Sequence, residues 1–392
     1  MTRPKARVIA FYLPQFHPIP ENDSWWGTGF TEWTNVAKAK PLFPGHYQPH
    51  FPADLGFYDL RVPETRFAQA EMARAHGIEG FCYWHYWFAG ERLLERPFNE
   101  VLRTGEPRLP FCLAWANESW TGIWHGAPGR ILKAQTYPGF DDHRTHFHTL
   151  LEAFGDERYL TVEGRPLFVI YHPSQLPEVK RVTDFWRDLA RKAGLKGLHL
   201  VAYLHAHEIP RWRPNDHGFD AALVSNHARI MIGPVTGLVH RVRSRLSRSR
   251  KFRALYKSIR RRPVDVYRYA DALPYFVHQE PLEFEYYPCI IPNWDNTPRS
   301  ALDGLVLHES TPELFRIETS AARKRVESLP VDRRIIFVKS WNEWAEGNHL
   351  EPDLKFGRRY LEVLRDEVLP PHQEEFRDTL TAATSGRSLH HD

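Results

Sequence analysis

The chain has 392 residues, 42% of them hydrophobic, and 13 tryptophans, which is ample for a sizeable core in one large domain or two. No apolar stretch approaches the length of a membrane span, and the run Val8–Leu13 is too short for the core of a signal peptide. The net charge of +4 is local, because eleven Lys/Arg and no acid fall between His240 and Arg262, which leaves the rest of the chain mildly acidic.

Eight short apolar runs recur along the chain: Arg7–Tyr12, Gly80–Trp84, Pro110–Trp115, Pro166–Tyr171, Leu198–Leu204, Ala221–Ser225, Tyr287–Pro292 and Ile335–Trp341. Several are near-continuous in Val, Ile, Leu and Phe, the pattern of strands buried on both faces of a parallel sheet. Helix-length amphipathic segments lie between most of them: Glu64–His76, Asp142–Phe154, Val179–Ala193, Thr311–Ser328 and Phe356–Val368. Eight βα units predict an α/β fold, a (β/α)8 TIM-type barrel with long βα loops and a basic insertion between strands 6 and 7. A doubly wound sheet is the competing architecture, since periodicity does not show closure. The three cysteines, Cys82, Cys112 and Cys289, sit inside apolar runs and read as buried thiols of a reduced compartment.

Polar and aromatic residues gather where these runs end. The first is followed by Pro14-Gln15-Phe16-His17, the second by Tyr83-Trp84-His85-Tyr86, and the third by Trp115-Ala116-Asn117-Glu118. Tyr171-His172, His205-Ala206-His207-Glu208 and Asn293-Trp294-Asp295 follow later runs, and Trp341-Asn342-Glu343-Trp344-Ala345-Glu346 closes the last. In a barrel, C-terminal strand ends meet at the face that carries active sites. Trp25 to Asn35 forms a long aromatic loop, placed either over the mouth or as a plug at the barrel edge.

Glu343 and Glu346 are the candidate catalytic pair. A turn brings carboxylates at this spacing to one side. Burial against indole raises the pKa of one, an acid, while the other stays ionised as base. The structural alternative is a helix cap or a pair with Arg358 or Arg359. Tyr12, His17, Trp33, Tyr83, His85, Trp115, Asn117, Glu118, Tyr171, Asn293, Trp294, Asp295, Trp341, Asn342 and Trp344 are the candidate substrate contacts. His205-x-His207-Glu208 and His146-x-His148 are the nearest approaches to a metal pattern, and neither has a third partner in sequence, so no metal or other cofactor is expected. The basic stretch is either an amphipathic helix touching an anionic membrane or a solvated insertion. It lacks any accompanying nucleic-acid-binding motif, so no nucleic acid is expected. Dinucleotide, P-loop and nucleophile-elbow signatures are missing, as is Asp-x-Asp.

Longer matches add a resemblance. Phe11 to Asn22, Trp25-Trp26-Gly27, Gly29 to Val36, Gly45 to Pro49, Asp54 to Asp59, Trp115 to Glu118, Pro292 to Arg299 and Trp341 to Pro352 resemble the WbsX-type family of surface-polysaccharide glycosyltransferases. That family is similar in turn to glycoside hydrolase family 99, (β/α)8 endo-acting α-mannosidases with a Glu-x-x-Glu pair after the last strand. The resemblance implies a retaining mechanism through a 1,2-anhydro sugar. In it, Glu343 would deprotonate the 2-hydroxyl and Glu346 would act as acid and then base. Glu118 falls where a further substrate-binding carboxylate is expected. The region from about 230 to 269 departs from the family pattern. The expectation is one catalytic domain over 1–372 and a tail over 373–392. The enzyme would be cytoplasmic, at or near the inner membrane face, acting on an oligosaccharide or lipid-linked glycan. A nucleotide-sugar-dependent transferase and a non-catalytic glycan-binding protein are the alternatives.

Overall fold

The computed structural model describes residues 4–122, 127–205, 208–209, 212–232, 264–278 and 280–370. The basic stretch, His207 and the C-terminal tail lie outside them.

The eight barrel strands are β1 (Arg7–Tyr12), β2 (Gly80–Phe88), β3 (Phe111–Trp115), β4 (Arg165–Ile170), β5 (His199–His205), β6 (Ala221–Ser225), β7 (Tyr286–Ile290) and β8 (Ile335–Val338). Every neighbouring pair is parallel. Ile9 pairs with Gly80, Leu113 with Phe168, Ala221 with Val201 and Cys289 with Phe337. Arg7 pairs with Ile335, so β8 returns to β1 and the sheet closes. A doubly wound sheet has two free edges; this closure decides for the (β/α)8 barrel.

The strands are built from consecutive apolar residues because both faces are covered. All nine residues of β2 are buried, as are all five of β3, β6 and β7. Inward rings fill the interior: Phe11 lies 4.7 Å from Trp84, 5.5 Å from Phe337 and 5.9 Å from Tyr203, centroid to centroid. This plug, drawn from β1, β2, β5 and β8, is the floor beneath the barrel mouth. The three cysteines are free and buried in the strands.

The main outer helices are α3 (Pro63–Ala75), α4 (Arg96–Thr104), α5 (Phe140–Phe154), α6 (Val179–Lys192), α8 (Pro312–Val326) and α9 (Arg359–Val368). Two seven-residue helices, α1 (Pro20–Trp26) and α2 (Glu32–Lys38), occupy the long loop after β1, and α7 (Tyr269–Phe276) precedes β7. Both α1 and α2 are too short to show a 3.6-residue period. Glu32 N donates to Gln15 O at 3.1 Å, which ties the start of α2 back to the end of β1. β2 runs four residues past its predicted end and turns back as a hairpin, with Tyr86 opposite Leu93. β8 stops at Val338, three residues before its predicted end, and Lys339 just after it lines the mouth. A side sheet of Asp265–Arg268, Leu305–His308 and Trp294–Asp295 stands beside the β7 loop. Among the described residues no helix is long and apolar enough to cross a membrane.

Candidate active site

The segment after β8 is fixed before it delivers any carboxylate. Trp341 N donates to Phe11 O at 2.7 Å, and Ser340 Oγ accepts from the amides of Asn342 and Glu343. The Asn342 side chain closes a two-way clamp on β1, accepting from Leu13 N at 2.7 Å and donating to Leu13 O at 3.0 Å. Residues 344–346 then form one 3-10 turn, which ends at Gly347 with φ 54°. That turn swings Glu343 and Glu346 to the same side.

Both glutamates line a cavity of about 440 Å³ at the C-terminal mouth of the barrel. One wall is aromatic: Trp84 and Tyr86 from β2, Trp120 after β3, and Trp26 and Phe30 from the long first loop. Gln15, Asn22, Glu32 and Asn35 line the cavity as well. Glu118 and Tyr171 stand at the β3 and β4 ends, with Arg299 and Lys339 beside the glutamates.

Arg299 joins the acidic groups. Its Nη1 lies 2.8 Å from Glu346 Oε1 and 3.3 Å from Glu343 Oε2, and its Nε lies 3.0 Å from Glu32 Oε2. Burial works against the guanidinium charge, but Glu32, Glu346 and Glu343 more than offset this and raise its pKa. The arginine is aimed by Asp295. Asp295 Oδ1 accepts from Thr297 N at 3.0 Å and Thr297 Oγ1 at 2.6 Å, which starts the short helix Thr297–Ser300. His46 Nε2 at 2.6 Å and Gln48 Nε2 at 2.7 Å hold the other oxygen of Asp295. Burial pushes the Asp295 pKa up, and the hydrogen bonds from His46, Thr297 and Gln48 bring it below the usual range.

Glu346 is pushed up to about 8 by burial first and then by the charge of Glu343, with Arg299 and Lys339 opposing. The two carboxyl groups are neighbours, since the same Arg299 nitrogen reaches both. At neutral pH Glu346 therefore carries a proton. Lys339 keeps its charge despite burial: the phenols of Tyr203 and Tyr171 and the carboxylates of Glu346 and Glu343 raise its pKa well above the ordinary range.

Of the residues singled out from sequence, Glu343, Glu346, Glu118 and Tyr171 line this cavity. Glu118 is half-exposed and faces His172 Nε2 at 3.2 Å. The others do not line it. Tyr83 and His85 occupy the opposite parity of β2 from Trp84 and Tyr86. Tyr83 packs on Phe98, and His85 Nε2 meets His146 Nε2 at 2.8 Å. Trp115 lies among His146 and Trp186. Tyr12 donates to Gln69, and His17 Nδ1 bonds Pro14 O. Trp33 Nε1 donates to Tyr58 O, and Trp344 Nε1 donates to Glu351. Asn117 clamps His172 through its amide N and O, much as Asn342 clamps Leu13. Asn293 Oδ1 accepts from His349 N, Trp294 stacks on His227 at 3.9 Å, and Trp341 packs on Phe81. These side chains, with Asp295, shape the mouth from behind.

Neither arginine expected as a structural partner of the pair takes that role. Arg358 binds Asp54, and Arg359 lies over Phe356. The cavity residues that sequence reading missed are chiefly Trp84, Tyr86, Trp120, Asn22, Glu32, Arg299 and Lys339.

His50, His349 and Asp353 bring possible ligand atoms within 4.8 Å of one another. His50 Nδ1 and His349 Nε2 are 3.0 Å apart with ring centroids 5.3 Å apart. Those two lengths together place the nitrogens head to head, as in a straight N–H···N bond, rather than converging on an ion. The cluster reads as a hydrogen-bonded pair that braces the hairpin carrying Glu343.

Residues 8–364 match the family described as Glycosyltransferase WbsX. The chain belongs to the WbsX glycosyltransferase family. Two relatives, each an "uncharacterized protein WxcX" of Xanthomonas campestris pv. campestris strains, are 38% identical over 93% of this chain. The chain spans about half the length of these relatives, 50% in each case. Among solved structures, a "glycoside hydrolase-like protein" shares 15% identity at a TM-score of 0.54, covering 94% of this chain and 96% of that one. A GH99 endo-alpha-mannosidase from Bacteroides thetaiotaomicron shares 16% at 0.51, covering 92% and 96%. At these identities the likeness shows the fold, a WbsX chain in a GH99-like barrel.

Proposed function

We propose that this WbsX chain is a carbohydrate-active enzyme that cleaves or transfers an α-linked, mannoside-like sugar of a surface polysaccharide or its precursor. The observation that carries the reading is the Glu343–Glu346 pair, held by one arginine nitrogen inside a cavity with an aromatic wall. Indole and phenol faces suit the C–H face of a pyranose, and the polar lining residues suit its hydroxyls.

The proposed course is retaining. Glu343 takes the proton of the sugar 2-hydroxyl as O2 attacks C1. The bond from C1 to the leaving oxygen breaks, and Glu346 gives that oxygen its proton. The product is a 1,2-anhydro sugar. Glu346, now ionised, deprotonates water or a sugar alcohol, which opens the anhydro ring at C1 while O2 recovers its proton from Glu343. Carboxyl groups 2.8 and 3.3 Å from one arginine nitrogen lie closer together than an inverting pair, which needs roughly 6.5–9.5 Å for its water. The raised Glu346 pKa suits an acid at neutral pH.

The test is Glu346→Gln against a panel of oligosaccharides and lipid-linked glycans, with products followed by mass. Turnover is expected to vanish while ligand binding survives; unchanged turnover removes the assignment. The family description favours a second reading, a nucleotide-sugar-dependent transferase. Tight binding of a nucleotide sugar by calorimetry would select it.

A further inference from the structure

Two cations line the cavity beside the glutamates, and they are engaged differently. Arg299 is held by three carboxylates, those of Glu32, Glu343 and Glu346, at 3.0, 3.3 and 2.8 Å. Lys339 is not. Its backbone N donates to Ile290 O at 2.8 Å, which fixes the residue against the end of β7. Its ammonium stands over two rings, 5.4 Å from the centroid of Tyr203 and 5.6 Å from that of Trp294. Among the described residues no carboxylate forms an ion pair with it, because Arg299 takes those of the glutamates. An ammonium has three donors, and the Tyr203 phenol takes one. The residue is 6% exposed and lines the cavity, so the remaining donors are left for a ligand.

We infer that Lys339 reads an anionic group, a carboxylate or a phosphate, on the sugar that the cavity binds. The inference rests on the reading of this cavity as a sugar site, and it narrows the substrate to acidic sugars and sugar phosphates. A buried cation without a close counter-ion is costly. A neutral amide would serve a sugar hydroxyl without that cost, whereas an anion gains charge-assisted hydrogen bonds from the lysine. The surrounding charge permits it. With Glu346 protonated at neutral pH, Arg299 and Lys339 stand against Glu32 and Glu343 and balance them. Glu118, the remaining acid of the lining, is half-exposed and screened by solvent. His227 stacks on Trp294 at 3.9 Å, and burial and the Lys339 charge hold it neutral. The lysine therefore meets rings and a neutral imidazole, and its charge is free to select.

The test uses Lys339→Met, which keeps the length of the side chain and removes its charge and donors. Three sugars are titrated at neutral pH by ligand-observed NMR: neutral methyl α-D-mannopyranoside, methyl α-D-mannopyranosiduronate and α-D-mannose 1-phosphate. Wild type is expected to bind one of the two charged sugars at least tenfold more tightly than the neutral one. Lys339→Met should lose that preference and keep its affinity for the neutral glycoside within threefold. Preference for the uronate marks an acidic sugar as the substrate, and preference for the 1-phosphate marks a glycosyl phosphate. If Lys339→Met does not fold, Lys339→Gln, with a donor but no charge, should show the same loss. Lys339→Arg should keep the preference. Equal binding of neutral and charged sugars by wild type, or a preference that survives removal of the charge, overturns the inference and leaves the sugar site standing. Binding of none of the three overturns it as well, and the Glu346→Gln experiment then decides the sugar reading separately.

Discussion

Gly347 turns against the backbone of Asp295. A Cβ at Gly347 would lie 2.9 Å from Asp295 Cβ and 3.0 Å from both Asp295 N and Asp295 O, and φ is 54°. The turn that carries Glu343 and Glu346 and the residue that aims Arg299 are thus in contact where only glycine fits. Gly347→Ala should move them apart. The expected cost is about 1–3 kcal/mol of stability and at least a tenfold loss in kcat, measured by thermal melting and turnover. A variant with wild-type melting and rate would show that this contact is not what sets the pair.

Glu346 predicts the pH behaviour. Its folded pKa of about 8 lies above the ordinary 4.5, so between those values the native state binds more protons than the unfolded chain. The stabilising contribution of this proton is complete below 4.5 and is lost as pH rises through about 8. Glu346→Gln removes the titration. Its melting temperature should match wild type near pH 5 and exceed it increasingly toward pH 8. Activity of the wild type should decline on the alkaline side as the acid ionises. A flat difference in melting between pH 5 and 8 contradicts the assignment.

Arg299 touches both carboxylates through one nitrogen, and its charge lowers the Glu346 pKa. Arg299→Lys keeps a charge but loses the fork that also reaches Glu32. It should reduce kcat on the order of a hundredfold. Arg299→Ala should shift the alkaline limb to higher pH, since the opposing charge is gone, and added guanidinium should restore part of the rate. An unshifted limb with no rescue would assign Arg299 to packing alone.

The eight strands were legible because strands buried on both faces write continuous apolar runs, and β1 and β6 fall on their predicted bounds; closure was not, since a doubly wound sheet writes the same runs. The pair of glutamates was equally legible, being a short motif within one turn. The wall opposite was not. Alternation on β2 decides whether Tyr83 and His85 or Trp84 and Tyr86 face the mouth, and a strand with every residue buried gives no polar face to fix that parity. The motif residues Asn117, Asn342 and Asp295 are distinctive for a different reason. They clamp loops behind the cavity, a demand as specific as touching a ligand. Arg299 and Glu32 lie 267 positions apart, and only the closed barrel brings them together.

Trp120 tests the aromatic wall. Its ring lies edge-on to Tyr86 at 5.0 Å and to Trp25 at 5.8 Å, and it is partly exposed where the cavity opens. A ring placed there has more to give a ligand than the core. Trp120→Ala should therefore raise KM about tenfold, the order of 1–1.5 kcal/mol of apolar contact, with kcat and melting temperature little changed. Trp344→Ala supplies the contrast, since that indole is buried, stacks on His349 at 3.8 Å and donates to Glu351. It should cost about 3–5 kcal/mol of stability. If Trp120→Ala instead melts as early as Trp344→Ala, the indole belongs to the core, and sugar stacking must be sought on Trp84 and Tyr86 alone.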